Sequence, residues 1–110
     1  MHRVVVALLV FLMVSPFSAL AQDESVSLIR QNEKIADMVI NGLWNGEDID
    51  VVYAVYADPF VAHSPANDDT MDVSPEFWRE LVGEDFRRAF PDMTVTIERM
   101  IATEDTVMVH

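Results

Sequence analysis

FRRAFPDMTVTIERMIATED, residues Phe86 to Asp105, changes its hydrophobic period halfway, and that change decides the fold. Upstream of Pro91 the apolar residues recur at helical spacing, and the proline ends that helix. From Asp92 the period is two. Met93, Val95 and Ile97 fall on one side and Thr94, Thr96 and Glu98 on the other, which predicts a long strand continuing to about Thr103. Glu104-Asp105 then reads as a tight turn. Thr106 to His110 reads as a return strand, with Val107 and Val109 on one face and Thr106, Met108 and His110 on the other. A helix feeding an antiparallel hairpin implies an α+β domain.

Toward the N-terminus, Ser74-Pro75-Glu76 gives the sharpest boundary: a hydroxyl to cap free amides, a proline at the first helical position and an acid in the first turn. The helix it starts is expected to bury Phe77, Leu81, Val82, Phe86, Ala89 and Phe90. Before it stands DPFVAHSP, Asp58 to Pro65. Phe60 to His63 reads there as a short strand, Phe60 and Ala62 sharing one face and Val61 and His63 the other. A loop holding Asn67, Asp68, Asp69 and Asp72 follows. Asp48 is placed to cap a short helix carrying Ile49, Val52, Tyr53 and Tyr56, which Pro59 stops near Ala57. The first helix runs from Val26 to Trp44 on Leu28, Ile35, Val39 and Leu43, with Ile29, Ala36 and Ile40 beside them. Gly42 and Asn45-Gly46 are expected to end it.

Residues 1–21 stand apart. Met1, His2 and Arg3 make a cationic start, Val4 to Val14 is uninterruptedly apolar, and Ala19-Leu20-Ala21 offers the small residues a signal peptidase reads. The apolar run is short for a bilayer-spanning helix, which needs about 20 residues. An exported protein cleaved after Ala21 is the expectation, secreted or periplasmic, leaving residues 22–110 as one domain. The chain has no cysteine, so no disulfide supports that small domain. Its formal net charge is −12. An excess of scattered acids disfavours nucleic acid and anionic lipid as partners and reads as a solvated surface.

Several chemistries lack their residues. Beyond the leader the histidines are His63 and His110, too few for a zinc site. The acidic loop lacks the central glycine of a calcium-binding loop. No phosphate-cradling glycine loop and no G-x-S-x-G elbow occurs. Nothing calls for a cofactor. The aromatic residues Trp44, Phe77, Trp78, Phe86 and Phe90 read either as a pocket wall or as plain packing, and Tyr53 and Tyr56 as rim hydroxyls or core. Asp58 is a turn starter that also stands near His63, and either Glu98 or Arg99 is free to face inward.

The order of these elements, with V-x-H-S-P at Val61 to Pro65 and FRRAFPDMTVTIERMIATED after it, resembles the SnoaL-like branch of the NTF2-like superfamily. The resemblance covers about residues 26–110. It implies a cone: a curved, mixed or antiparallel sheet around a pocket, closed by three helices in the first half of the chain. Members usually continue past the position of His110 with further strands, so the domain reads as partial. The acid/base His and Asp of the polyketide cyclases lie on that later portion, and no residue here inherits either role. The resemblance further implies a small apolar, polyketide-like ligand contacted by His63, Tyr56, Phe77, Trp78, Phe86 and Phe90. His110 is a polar candidate at the cone's inner face. The alternatives are an ester cyclase or isomerase using acid/base catalysis, or a non-catalytic homodimerisation module.

Overall fold

The computed structural model describes residues 21–63 and 70–110. Most of the leader, and Ser64 to Asp69 with the first part of the acidic loop, lie outside them. Helix α1 is α-helical over residues 21–38 and closes as a π-helix, Val39–Trp44. Helix α2, residues 49–55, opens as a 3-10 turn, Ile49–Val51, and continues as Val52–Val55. Strands β1 (Phe60–His63) and β2 (Thr70–Val73) precede helix α3, residues 75–89, in which a π-helical stretch, Arg79–Asp85, interrupts Pro75–Trp78 and Phe86–Ala89. Strands β3 (Met100–Ala102) and β4 (Val107–Val109) complete the described chain. The fold is α+β, as the change of period implies.

Capping at α3 follows the sequence. Ser74 Oγ accepts the Phe77 backbone N–H at 3.1 Å, with Pro75 at the first helical position and Glu76 in the first turn. Asp48 behaves differently: its side chain makes no cap, and its carbonyl accepts the Val51 N–H at 3.2 Å to close the 3-10 turn.

The buried core is small: Leu43 from α1, Val51 and Val52 from α2, Val82 from α3, and Val73 from β2. Each such side chain contributes roughly 1.5–3 kcal/mol on burial. Two glycines let the helices close on α2. A Cβ on Gly42 would meet the Asp48 carbonyl oxygen at 2.9 Å and Val51 Cγ1 at 3.1 Å, and one on Gly83 would meet Ile49 Cβ and Cγ2 at 3.0 Å. Gly42 is therefore a packing residue inside the helix rather than its terminator. The terminator is Gly46, at φ 77°.

Several faces differ from the spacing argument. On α1 the inner stripe is Ser25, Ile29, Asn32, Ala36, Val39, Ile40 and Leu43, while Leu28 and Ile35 are exposed. On α3 the inner stripe is Pro75, Trp78, Arg79, Val82, Gly83, Phe86 and Arg87, and Phe77, Ala89 and Phe90 are exposed. The stripes themselves recur at three and four residues, and the exposed Leu28, Ile35 and Phe77 precede the π stretches, so it is the phase of each stripe, set by packing of Leu43 and Val82 against α2, that differs. On α2, Val51 and Val52 are buried and Tyr53 is exposed, because the 3-10 start brings residues three apart, Ile49, Val52 and Val55, onto one face.

The expected single curved sheet is represented among the described residues by two separate antiparallel ladders, β1 with β2 and β3 with β4. Asp72, expected in a loop, lies in β2 opposite Val61. The long strand expected from Asp92 is paired only at Met100–Ala102. Just before it, the backbone N–H groups of Glu98 and Arg99 both donate to the His110 carbonyl, at 2.8 and 3.1 Å, and the His110 N–H returns to Arg99 O at 2.9 Å. Two residues opposite one define a β-bulge, which bends a strand. Half-burial accordingly runs Met93, Val95, Ile97, then skips to Met100 and Ala102, with Glu98 and Arg99 both exposed. Neither faces inward.

This extended segment runs back along α1. Asn45 Nδ2 donates to Val95 O at 2.9 Å, and Asn45 Oδ1 accepts the Val95 N–H at 2.7 Å. At the far end Asn32 Nδ2 donates to the carbonyls of Thr103 and Glu104, at 3.0 and 2.8 Å, and Ser25 Oγ donates to Glu104 Oε1 at 2.6 Å. Glu104 and Asp105 form the expected tight turn, closed by Thr103 N–H to Thr106 O at 2.8 Å.

Candidate functional site: an aromatic wall

Five aromatic rings contributed by α1, the end of α2, β1 and α3 form one continuous chain. Tyr56 stacks on Phe60, with ring centroids 4.5 Å apart, and Phe60 meets Trp78 edge-on at 5.8 Å. Trp78 meets Trp44 edge-on at 6.3 Å, and Trp44 lies 6.1 Å from Phe86. All five are half-buried, and Trp44, Tyr56, Trp78 and Phe86 pack against the cluster of Leu43, Val51, Val52 and Val82. Such edge-to-face and tilted contacts are the arrangements that ring quadrupoles favour.

Local structure places each ring. Trp44 is the last residue of the π turn of α1, and its carbonyl accepts Arg87 Nη2 at 2.6 Å, which fixes the helix end against α3. Tyr56 ends α2. Phe60 opens β1 opposite Val73, so the ladder face bearing those two residues lies against the helices. Trp78 and Phe86 flank the π stretch of α3 and belong to its inner stripe.

The wall has a polar point. Trp78 Nε1 is buried without a hydrogen-bond partner. The Tyr56 hydroxyl neighbours it: burial raises the Tyr56 pKa above the usual phenol value, and the adjacent indole N–H draws it partly back. The two groups interact without meeting hydrogen-bond geometry.

Of the six residues expected at a ligand site, the structure brings Tyr56, Trp78 and Phe86 together. Phe77, 48% exposed, lies on the solvent side of α3. Phe90, 63% exposed, instead lines a separate open groove of about 640 Å³ with Ala89, Pro91, Asp92 and Met93. His63 is exposed at the end of β1, opposite Thr70, on the ladder face of Val61 and Asp72 and away from that of Phe60 and Val73. The imidazole does not join the wall. His110 is exposed as well, its Nδ1 4.0 Å from Glu98 Oε2. Phe60, which the sequence placed only as a strand residue, is the link the earlier set lacked. Its signal was a position four after Tyr56, brought round by the Asp58-Pro59 turn. Among the described residues no group of three or more His, Asp or Glu is placed to hold a metal ion.

An α+β domain with an aromatic wall between its helices and its strands is the class defined here. The family model described as SnoaL-like polyketide cyclase matches residues 34–110, well over half of the chain, and the protein belongs to that family. No curated protein and no solved structure matches it significantly.

Proposed function

We propose that this protein is an exported SnoaL-like protein that binds a small, largely apolar, polyketide-like molecule with a polar end against the wall of Trp44, Tyr56, Phe60, Trp78 and Phe86. The single observation that carries the reading is the unbroken chain of five half-buried rings in a domain of this family. Small-molecule sites are mostly aromatic and apolar with a few placed polar groups. His63 lies outside the site in this reading.

Acetylnaphthalene, a flat apolar probe with one carbonyl, is expected to quench tryptophan fluorescence and to raise the melting temperature in proportion to its occupancy. Absence of both effects at saturating probe sinks the proposal, and turnover of the probe would move it to the enzyme class. Export is tested by the N-terminus of the mature protein, expected at Gln22.

Self-association is a second reading with its own observation. Ile101 and Met108 are cross-strand partners, 56% and 67% exposed, side by side on the outer face of the β3–β4 ladder. A concentration-dependent melt abolished by Ile101→Lys supports it, and a concentration-independent one refutes it.

A further inference from the structure

From the placement of Asn45-Gly46 we infer a covalent self-modification site: the side chain that clamps Val95 is also the one set to lose its amide, irreversibly, whenever the clamp opens. This stands independently of the ligand reading.

Asparagine followed by glycine is chemically labile, because glycine has no Cβ to keep its own backbone nitrogen away from the preceding side chain. The Gly46 nitrogen forms a bond to Asn45 Cγ and gives up its proton. The Cγ–Nδ2 bond breaks, and Nδ2 leaves with that proton as ammonia. The five-membered imide then takes up one water. Opening at Cγ leaves aspartate at position 45, and opening at the backbone carbonyl leaves isoaspartate, whose main chain runs through Cγ.

The sequence holds this dipeptide twice, at Asn41-Gly42 and Asn45-Gly46, and the fold treats the two differently. Gly42 is buried within the π turn of α1 against Asp48 and Val51, so ring closure at Asn41 requires that turn and the core around Leu43 to come apart. Gly46 lies past the helix end. It is exposed, at φ 77°, and among the described residues its N–H makes no hydrogen bond. What restrains Asn45 is its own side chain, held through both polar atoms by Val95, with Nδ2 also 3.3 Å from Asn41 Oδ1. Its ψ of −4° eclipses the Gly46 nitrogen with the nitrogen of Asn45 instead of Cβ, so the ring closes only after the backbone turns. Release of Val95 frees both the side chain and that rotation. A local opening of this kind costs less than disrupting a packed turn. After reaction a carboxylate stands where the amide donated to the Val95 carbonyl, and the two-way clamp cannot re-form. A transient opening thereby becomes a permanent release of the extended segment from α1.

The full protein is kept at neutral pH, folded and in denaturing urea, while peptide mass spectrometry with fragmentation follows amide-to-acid conversion at each position. In urea the two dipeptides are expected to convert at similar rates. In the folded protein both slow, and Asn45 is expected to outpace Asn41 by at least about tenfold. Val95→Pro removes the N–H that Asn45 Oδ1 accepts. It is expected to speed folded-state conversion at Asn45 about tenfold and to leave the rate in urea unchanged. Equal or faster conversion at Asn41 in the folded protein overturns the assignment, as does no conversion at Asn45 in a folded sample kept well beyond completion in urea. Conversion at Asn45 as fast folded as in urea overturns it too, since the clamp would then give no protection. If Val95→Pro does not fold, the wild-type folded and urea rates decide.

Discussion

Asn45 holds Val95 by both of its backbone groups, its amide donating to the Val95 carbonyl at 2.9 Å and accepting the Val95 N–H at 2.7 Å. A side chain thus takes the place of a neighbouring strand, and it registers the extended segment against the end of α1. Asn45→Ala strands both groups and is expected to cost about 2 kcal/mol, a fall of roughly 10 °C in melting temperature for a domain of this size. Asn45→Asp keeps the acceptor but sets a carboxylate against the Val95 carbonyl, so it should recover little. Thermal melts of both variants decide the matter, and a wild-type melting temperature for Asn45→Ala would remove the clamp.

The glycines facing α2 predict a difference in rescue. A methyl at Gly83 presses on the side chain of Ile49, whereas one at Gly42 presses on the backbone oxygen of Asp48. Gly83→Ala is expected to destabilise by about 1–3 kcal/mol. Combined with Ile49→Ala it should show a favourable coupling of at least about 0.5 kcal/mol. Gly42→Ala should be destabilising despite alanine's better helix propensity, and no change at Val51 should relieve it. Denaturant melts analysed as double-mutant cycles measure both couplings, and equal rescue at the two sites contradicts the packing described.

Alkaline titration reports on the wall directly. Burial raises the Tyr56 pKa above that of an unfolded phenol, so the folded state favours the neutral hydroxyl. That contribution is complete below the unfolded pKa of about 10 and is lost as pH rises through the higher folded value. Stability should therefore fall above about pH 10, and less so in Tyr56→Phe. In a Tyr53→Phe background the remaining phenol is followed by ultraviolet absorbance, and a midpoint at or below about 10 would mean that its ring is not shielded.

His63 predicts a quiet result. Its side chain is exposed on the ladder face opposite Phe60. His63→Ala should change stability by no more than about 0.5 kcal/mol and leave the affinity for acetylnaphthalene as it was. A loss of affinity in that variant, measured by fluorescence titration, would bring the imidazole back to the site.

Much of the fold was legible because its signals are local. The Ser74-Pro75-Glu76 cap, the Glu104-Asp105 turn and the switch to period two after Pro91 each occupy a few adjacent residues. What escaped the sequence depends on how the elements pack on one another. The phase of the α3 stripe is set by its packing against α2, so Phe77 and Phe90, expected inside with Phe86, are exposed, while Phe86 and Trp78 reach the wall. β2 carries Met71 and Asp72 between Thr70 and Val73, a pattern with little alternation, and only its pairing with β1 makes it a strand. Tyr56, Trp78 and Phe86 of the candidate set lie together in the structure. The facing of His63 and the membership of Phe60 needed the ladder register, which no spacing along the chain contains.

The doubled step at Glu98 and Arg99 also fixes where this segment can change length. Removing either residue restores plain alternation and still leaves Met93, Val95, Ile97, Met100 and Ala102 on one side, so natural or engineered shortening there should keep the inward set while straightening the chain. A one-residue deletion at Thr96 instead turns Met93 and Val95 outward relative to Ile97. Length variation along this part of the protein is tolerable at that place, which also sets the bow of the segment.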